Sequence, residues 1–216
     1  SRVYDTASGG LTVLKDVNLD VMPGEVVGLI GPSGSGKSSL LYLLGLLDQP
    51  TSGRVMLDGQ DTSKMSEDAV ADLRLSKLGF VFQSHYLLPE FSALENVMIP
   101  MRRLGRYNNT EIETRAKKNL NDFGLLEHAH KKPKQMSGGQ NQRVAIARAL
   151  ANDPDLILAD EPTGNLDTAS GRVAQGILRD LARVHGRTVV VVTHDPGFAD
   201  IADRKITIVD GAITEG

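Results

Sequence analysis

Cysteine is absent from this 216-residue chain, which excludes disulfides, cysteine-ligated metals and thiol nucleophiles and fits a cytosolic setting. Long hydrophobic runs are absent too. The longest, "LLYLLGLL" from Leu40 to Leu47, falls far short of the ~18 residues that a membrane-spanning helix needs. No signal-peptide pattern opens the chain, and there is no internal repeat or low-complexity tract. A large excess of one charge is also missing: the net charge of -3 provides no basic face for nucleic acid. These absences point to a soluble protein that binds no nucleic acid and reaches a membrane only through a partner. What remains is an ordinary globular composition, 40% hydrophobic and 24% charged. A chain of this length buries roughly 70% of its unfolded surface, enough for a real core.

Short β-branched runs alternating with helical patterns predict an α/β fold with a parallel-sheet core. The expected strands are Val26–Ile30, Arg54–Leu57, Gly79–Phe82, Leu156–Ala159, Thr188–Thr193 and Lys205–Val209. "LILA" and "VVVV" are apolar at successive positions, as in central strands covered on both faces. Asp58-Gly59 and Asp210-Gly211 are turn dipeptides that predict a small antiparallel part. From about residue 84 to 150 strand signals vanish. Ser92–Glu95 and Thr110–Glu113 match the capping box. Ile112, Ala116, Leu120 and Phe123 form a helical stripe that Gly124 ends. The expected organisation is therefore a nucleotide-binding core of residues 1–83 and about 151–216, interrupted by a helical subdomain of about 84–150.

"GPSGSGKS", Gly31 to Ser38, lies between an apolar strand and a helical segment and fits G-x-x-x-x-G-K-[ST]. In that setting the backbone of Gly31, Pro32, Ser33, Gly34, Ser35 and Gly36 curls around phosphate, its N–H groups (Pro32 has none) pointing at the oxygens, and the helix N-terminus adds positive potential. Lys37 is expected to reach the β- and γ-phosphates and Ser38 to ligate Mg2+. "LILADE" ends its strand in Asp160 and Glu161, at the sheet edge where ligands of such folds bind. Asp160 is expected in the magnesium shell and Glu161 against the attacking water. His194 and Gln83 end two further strands at that edge. His194 is assigned to the γ-phosphate, and Gln83 to magnesium or water. "MSGGQNQR", Met136 to Arg143, opens another helix with a serine and two glycines, a second anion cradle with no evident occupant.

These motifs in this order resemble the ATPase subunit of an ABC transporter over essentially the whole chain. The resemblance implies a P-loop NTPase fold with ATP and Mg2+ as cofactors. It implies that Tyr4 stacks on adenine, that nucleotide contacts extend to Ser39, and that Ser137, Gly138, Gly139 and Gln140 form the signature. Asn165 to Asp167 would lie in the loop that crosses to a second subunit. It also gives the second cradle an occupant, the ATP held by a partner copy, so that two chains sandwich two nucleotides head to tail. "FQSHYLLPEFSALENVMIP" is similar to the lipoprotein-releasing (LolD) ATPases, while "HDP" leans to the MacB-type exporters. This implies a peripheral subunit on the cytoplasmic face of the inner membrane, bound to permease subunits. FtsE-like signalling to a periplasmic hydrolase, or MacB-like drug or peptide export, is the alternative. Met136 stands where leucine is usual, a change that keeps volume and apolarity; Asn141 stands where Gln, Arg or Lys is commoner. The strand that precedes the stacking aromatic is expected to be mostly missing. Leu87, Leu88 and Phe91 are expected in a partly exposed groove for a permease helix, with Leu94 facing inward.

Overall fold

The four valines of "VVVV" divide evenly between two cores. The computed structural model describes residues 1–6 and 9–215. In chain order its strands are β1 (Arg2–Thr6), β2 (Gly9–Leu14), β3 (Val26–Ile30), β4 (Met56–Leu57) and β5 (Gln60–Asp61). They continue as β6 (Leu78–Phe82), β7 (Leu156–Asp160), β8 (Thr188–Val192), β9 (Arg204–Val209) and β10 (Ala212–Glu215). The helices are α1 (Lys37–Leu44), α2 (Glu67–Lys77), α3 (Ala93–Leu104), α4 (Asn109–Asp122), α5 (Gly138–Ala149), α6 (Thr168–Arg183) and α7 (Pro196–Ile201). The main sheet runs β10-β9-β3-β8-β7-β6, parallel except for the antiparallel edge pair β9–β10.

Because side chains alternate across a strand, Val189 and Val191 join Ile157, Ala159 and the inner faces of α5 and α6. Val190 and Val192 join Leu158, Ile206 and the leucines of α1 on the opposite face. Full burial of each such side chain contributes roughly 1.5–3 kcal/mol, so register is strongly held on both faces. A third core lies outside the sheet. Ile112, Ala116 and Leu120 of α4 pack there on Val97 and Met101 of α3 and on Val144 and Ala147 of α5. Both Asp-Gly turns form as expected, with positive φ at each of Asp58, Gly59, Asp210 and Gly211, the primed geometry that suits a two-residue hairpin.

Several local expectations need correcting. Strand β4 holds only Met56–Leu57, not Arg54–Leu57. The second capping box is Asn108 with Glu111, two residues before the expected one. Asn108 Oδ1 accepts from the Glu111 N–H while the Glu111 carboxylate accepts from the Asn108 N–H, whereas Thr110 already lies inside the helix. Tyr4 sits within β1, which pairs antiparallel with β2, a hairpin not read from the sequence.

Candidate active site

Register assembles the site. Phe82 is opposite Asp160, Asp160 opposite Val192, and Val192 opposite Leu29. The residues that follow these four strands, Gln83, Glu161, Thr193–His194 and the loop from Gly31, therefore leave the sheet along one carboxyl edge, where ligands of open α/β sheets bind.

The 31–38 loop is shaped by glycine. Gly31 has φ 140°, and a Cβ there would lie 2.1 Å from the Ile208 carbonyl oxygen. Gly36 has φ 102°, and its Cβ would meet the Val13 carbonyl at 2.8 Å. Neither position admits a side chain. Lys37 folds back over the loop and donates from Nζ to the carbonyls of Gly31 (3.0 Å) and Pro32 (2.7 Å). Burial holds its pKa below the usual value, opposed by the charges of Glu161 and Asp160. Ser35 Oγ is buried without a hydrogen-bond partner, a donor left over inside an anion-shaped cradle.

Ser38 Oγ donates to Asp160 Oδ1 at 3.0 Å. A hydroxyl and a carboxylate side by side are the hard-oxygen donors that magnesium takes, so these residues fit the expected ion. Tyr42 lies one helical turn beyond Ser38 and donates its hydroxyl to Asp160 Oδ2 at 3.1 Å. Burial first, then the charge of Asp160, push that phenol up to about 12. Its i, i+4 spacing from Ser38 on an α-helix was the signal that could have revealed it. Glu161 takes a left-handed φ of 47°, a conformation unusual outside glycine. Its N–H donates to Val192 O at 2.9 Å, and its Oε1 lies 3.1 Å from His194 Nε2. Gln83 is at the same edge, one residue past the Phe82–Asp160 pair, and its side chain bonds Asn165. Its amide donates to Asn165 Oδ1, and Asn165 Nδ2 donates back to the Gln83 carbonyl, each at 3.2 Å.

The second cradle is a fully capped helix start. Ser137 Oγ accepts from the Gln140 N–H, and Gln140 Oε1 accepts from the Ser137 N–H, a capping box. Gly139 is close to α6: an added Cβ would lie 2.4 Å from Ser170 Oγ. Ser170 in turn donates from N and Oγ to Asp167, the cap of α6, and these bonds hold the Asp167 carboxyl below its usual range. Among the described residues no hydrogen bond or ion pair joins 137–140 to 31–39. One chain does not bring its two cradles together.

Three links were not foreseen. Buried Gln142 donates to the Pro162 carbonyl at 2.7 Å, tying α5 to the segment after Glu161. Asp195 caps α7 and accepts from Gln175. Arg148, in the last turn of α5, donates Nη2 to the His85 carbonyl (2.7 Å) and Nη1 to the Tyr86 carbonyl (2.6 Å). His85 and Tyr86 both have left-handed φ, 56° and 45°. Desolvation lowers the Arg148 pKa, and among the described residues no carboxylate pairs with it. Beyond this turn Leu94 is buried, while Leu88 is 43% and Phe91 37% exposed; Leu87 is partly buried against the α3–α5 core.

Residues 14–164 match the family model described as ABC transporter. The chain is 54% identical over 210 residues to "Lipoprotein-releasing system ATP-binding protein LolD 2" of Caulobacter vibrioides, covering 97% of this chain and 92% of that protein. It is 46% identical over 214 residues to the LolD protein of Hyphomonas neptunium, covering 99% and 93%. Among solved structures, the ATP-binding cassette MJ0796, a dimer in a post-hydrolysis state bound to ADP and Pi, superposes with a TM-score of 0.92. That match has 43% identity and covers 99% of this chain and 94% of the other.

Proposed function

The chain belongs to the ABC transporter family as an ATPase, and on that premise we propose that it is the motor subunit of a lipoprotein-releasing transporter. The single register that sets Gln83, Asp160, Glu161 and His194 beside the 31–38 loop supports this reading most directly. Gly31 to Ser39 cradle the phosphates and Lys37 swings from its carbonyl contacts to the β- and γ-phosphates. Ser38 and Asp160, with Gln83 once Asn165 releases it, would hold magnesium, which when bound there would supply charge neutralisation at the phosphates. Glu161 orients and polarises the attacking water, and His194 contacts the γ-phosphate. Ser137 to Gln140 of one copy close over the nucleotide of a second copy, with Asp167 at the crossing loop. The 84–150 segment acts as a helical subdomain on the core formed by 1–83 and 151–216.

No helix among the described residues is long and apolar enough to cross a membrane. The subunit works at the cytoplasmic face of the inner membrane by docking on permease subunits through the exposed Leu88–Phe91 surface, an apolar groove for a partner helix. The relatives named for lipoprotein release favour that cargo.

Two experiments test the reading. Mixing Lys37→Ala chains with Ser137→Arg chains leaves one intact composite site in each heterodimer. Residual ATPase activity is the expected result, and activity no higher than in either variant alone contradicts a shared site. Co-purification of the native membrane partner, then ATP-dependent release of a lipoprotein from vesicles containing both, tests the cargo. A partner that co-purifies but releases no lipoprotein moves the assignment to the MacB-like or FtsE-like class.

A further inference from the structure

Tyr4 is held from two sides. The Arg2 guanidinium lies 4.3 Å from the centroid of its ring, close enough for a cation–π contact. The Tyr4 hydroxyl donates to Asp48 Oδ2 at 2.8 Å, and Arg2 Nη2 reaches Asp48 Oδ1 at 2.8 Å. Each member of the triad touches the other two. Asp48 also accepts from the Gln49 N–H at 2.8 Å, which fixes the carboxylate. The strand itself is fastened to the segment after α1: Val3 N–H donates to Thr51 Oγ1, and Thr51 Oγ1 donates to Val3 O. Tyr4 and Arg2 are two residues apart on β1, so both project from one face. Partner strand β2 runs down to Val13 and Leu14, which pack on Gly36 of the phosphate loop.

We propose that Arg2 is a base-positioning residue, which with Asp48 holds Tyr4 as a one-sided platform for the purine ring of the nucleotide. A tyrosine ring has two faces, and the guanidinium occupies one of them. The hydroxyl bond to Asp48 anchors the far end of the ring, and the guanidinium against its face opposes rotation of the ring about its own axis. A base then meets a stationary surface on the remaining face and loses little extra ring freedom on binding, which raises affinity through preorganisation. Stacking tolerates any flat base, so the platform reads the presence of a base and not its hydrogen-bonding edge. This rests on the assignment of Tyr4 to the base.

The measurement is calorimetric binding of ADP and of inorganic diphosphate to the full chain, which separates base from phosphate without hydrolysis. Arg2→Ala is expected to weaken ADP about threefold to tenfold and to leave diphosphate unchanged. Arg2→Lys keeps the charge but neither the planar stack nor the fork, and is expected to fall between Arg2→Ala and the parent. Asp48→Asn provides a second route to the same loosened ring, with melting temperature as the check on folding. Equal weakening of ADP and diphosphate in Arg2→Ala overturns the proposal, because the effect then lies in charge or fold. Tyr4→Ala separates the two levels. If it weakens ADP and Arg2→Ala does not, stacking stands and the triad fails. If Tyr4→Ala leaves ADP binding intact, the stacking assignment falls and the proposal with it.

Discussion

His194 Nε2 lies 3.1 Å from Glu161 Oε1, so the two side chains assigned to one water and one phosphate are already in hydrogen-bond reach of each other. That contact spans two strands, β7 and β8, whose pairing runs to Asp160 and Val192. Replacing Glu161 by Gln keeps the shape and removes the charge that polarises water. Turnover is expected to fall about a hundredfold or more with ADP affinity kept within a factor of about two. ATPase activity near that of the parent contradicts the role. His194→Ala is expected to act in the same direction.

Lys37 bridges the loop carbonyls here and has no carboxylate partner within bonding distance among the described residues. Lys37→Ala is expected to lose nucleotide affinity itself, read directly by calorimetry, and not merely turnover. Unchanged affinity contradicts its place on the phosphates.

Gly139 and Ser170 form a steric pair. Gly139→Ala places a methyl 2.4 Å from Ser170 Oγ and 2.8 Å from its Cβ, so α5 must shift. Overpacking of this kind typically costs about 1–3 kcal/mol. Ser170→Gly removes both offending atoms and is expected to restore part of the loss in ATPase activity and melting temperature. A strictly additive double variant contradicts the contact.

Tyr42 supplies a pH test. Its pKa rises from the usual 10.0 to about 12 in the folded protein, so the folded state holds this proton more tightly than the unfolded state. The stabilisation is complete below pH 10 and is lost as pH climbs from 10 to about 12, as the linkage relation requires. Denaturant titrations are expected to show a steeper fall in that window for the parent than for Tyr42→Phe. Parallel curves contradict the Tyr42–Asp160 bond.

Leu88→Asp and Phe91→Asp place charges on side chains that are 43% and 37% exposed. The isolated subunit is expected to remain folded and to bind ATP, while co-purification with the membrane partner and transport are lost. Unfolding instead makes these residues core, and intact co-purification and transport place docking elsewhere.

The elements that were legible in the sequence share a local cause. Strands β3, β7 and β8 were readable because burial on both faces writes a continuous apolar run, as in "VVVV". The 31–38 loop was readable because its glycines are demanded by close backbone approach. Helix α2 was missed because none of its residues is buried, so no apolar stripe marks it. The β1–β2 hairpin was missed for a related reason: β2 is exposed along most of its length. Arg148 had no signal at all. Its partners lie 62 and 63 positions away, and a donor to main-chain carbonyls leaves no trace in the identity of the residues that accept.

That guanidinium makes a mechanical fastening. Two consecutive left-handed residues turn their carbonyls toward α5, and Arg148 clamps both, at the opposite end of the helix from Ser137. For as long as those two bonds hold, the turn at His85–Tyr86 and the helix behave as a single bracket. His85 also reaches the Gly138 backbone, so the turn is fastened near both ends of α5, and a push at Leu88 and Phe91 is expected to move Ser137 together with the helix.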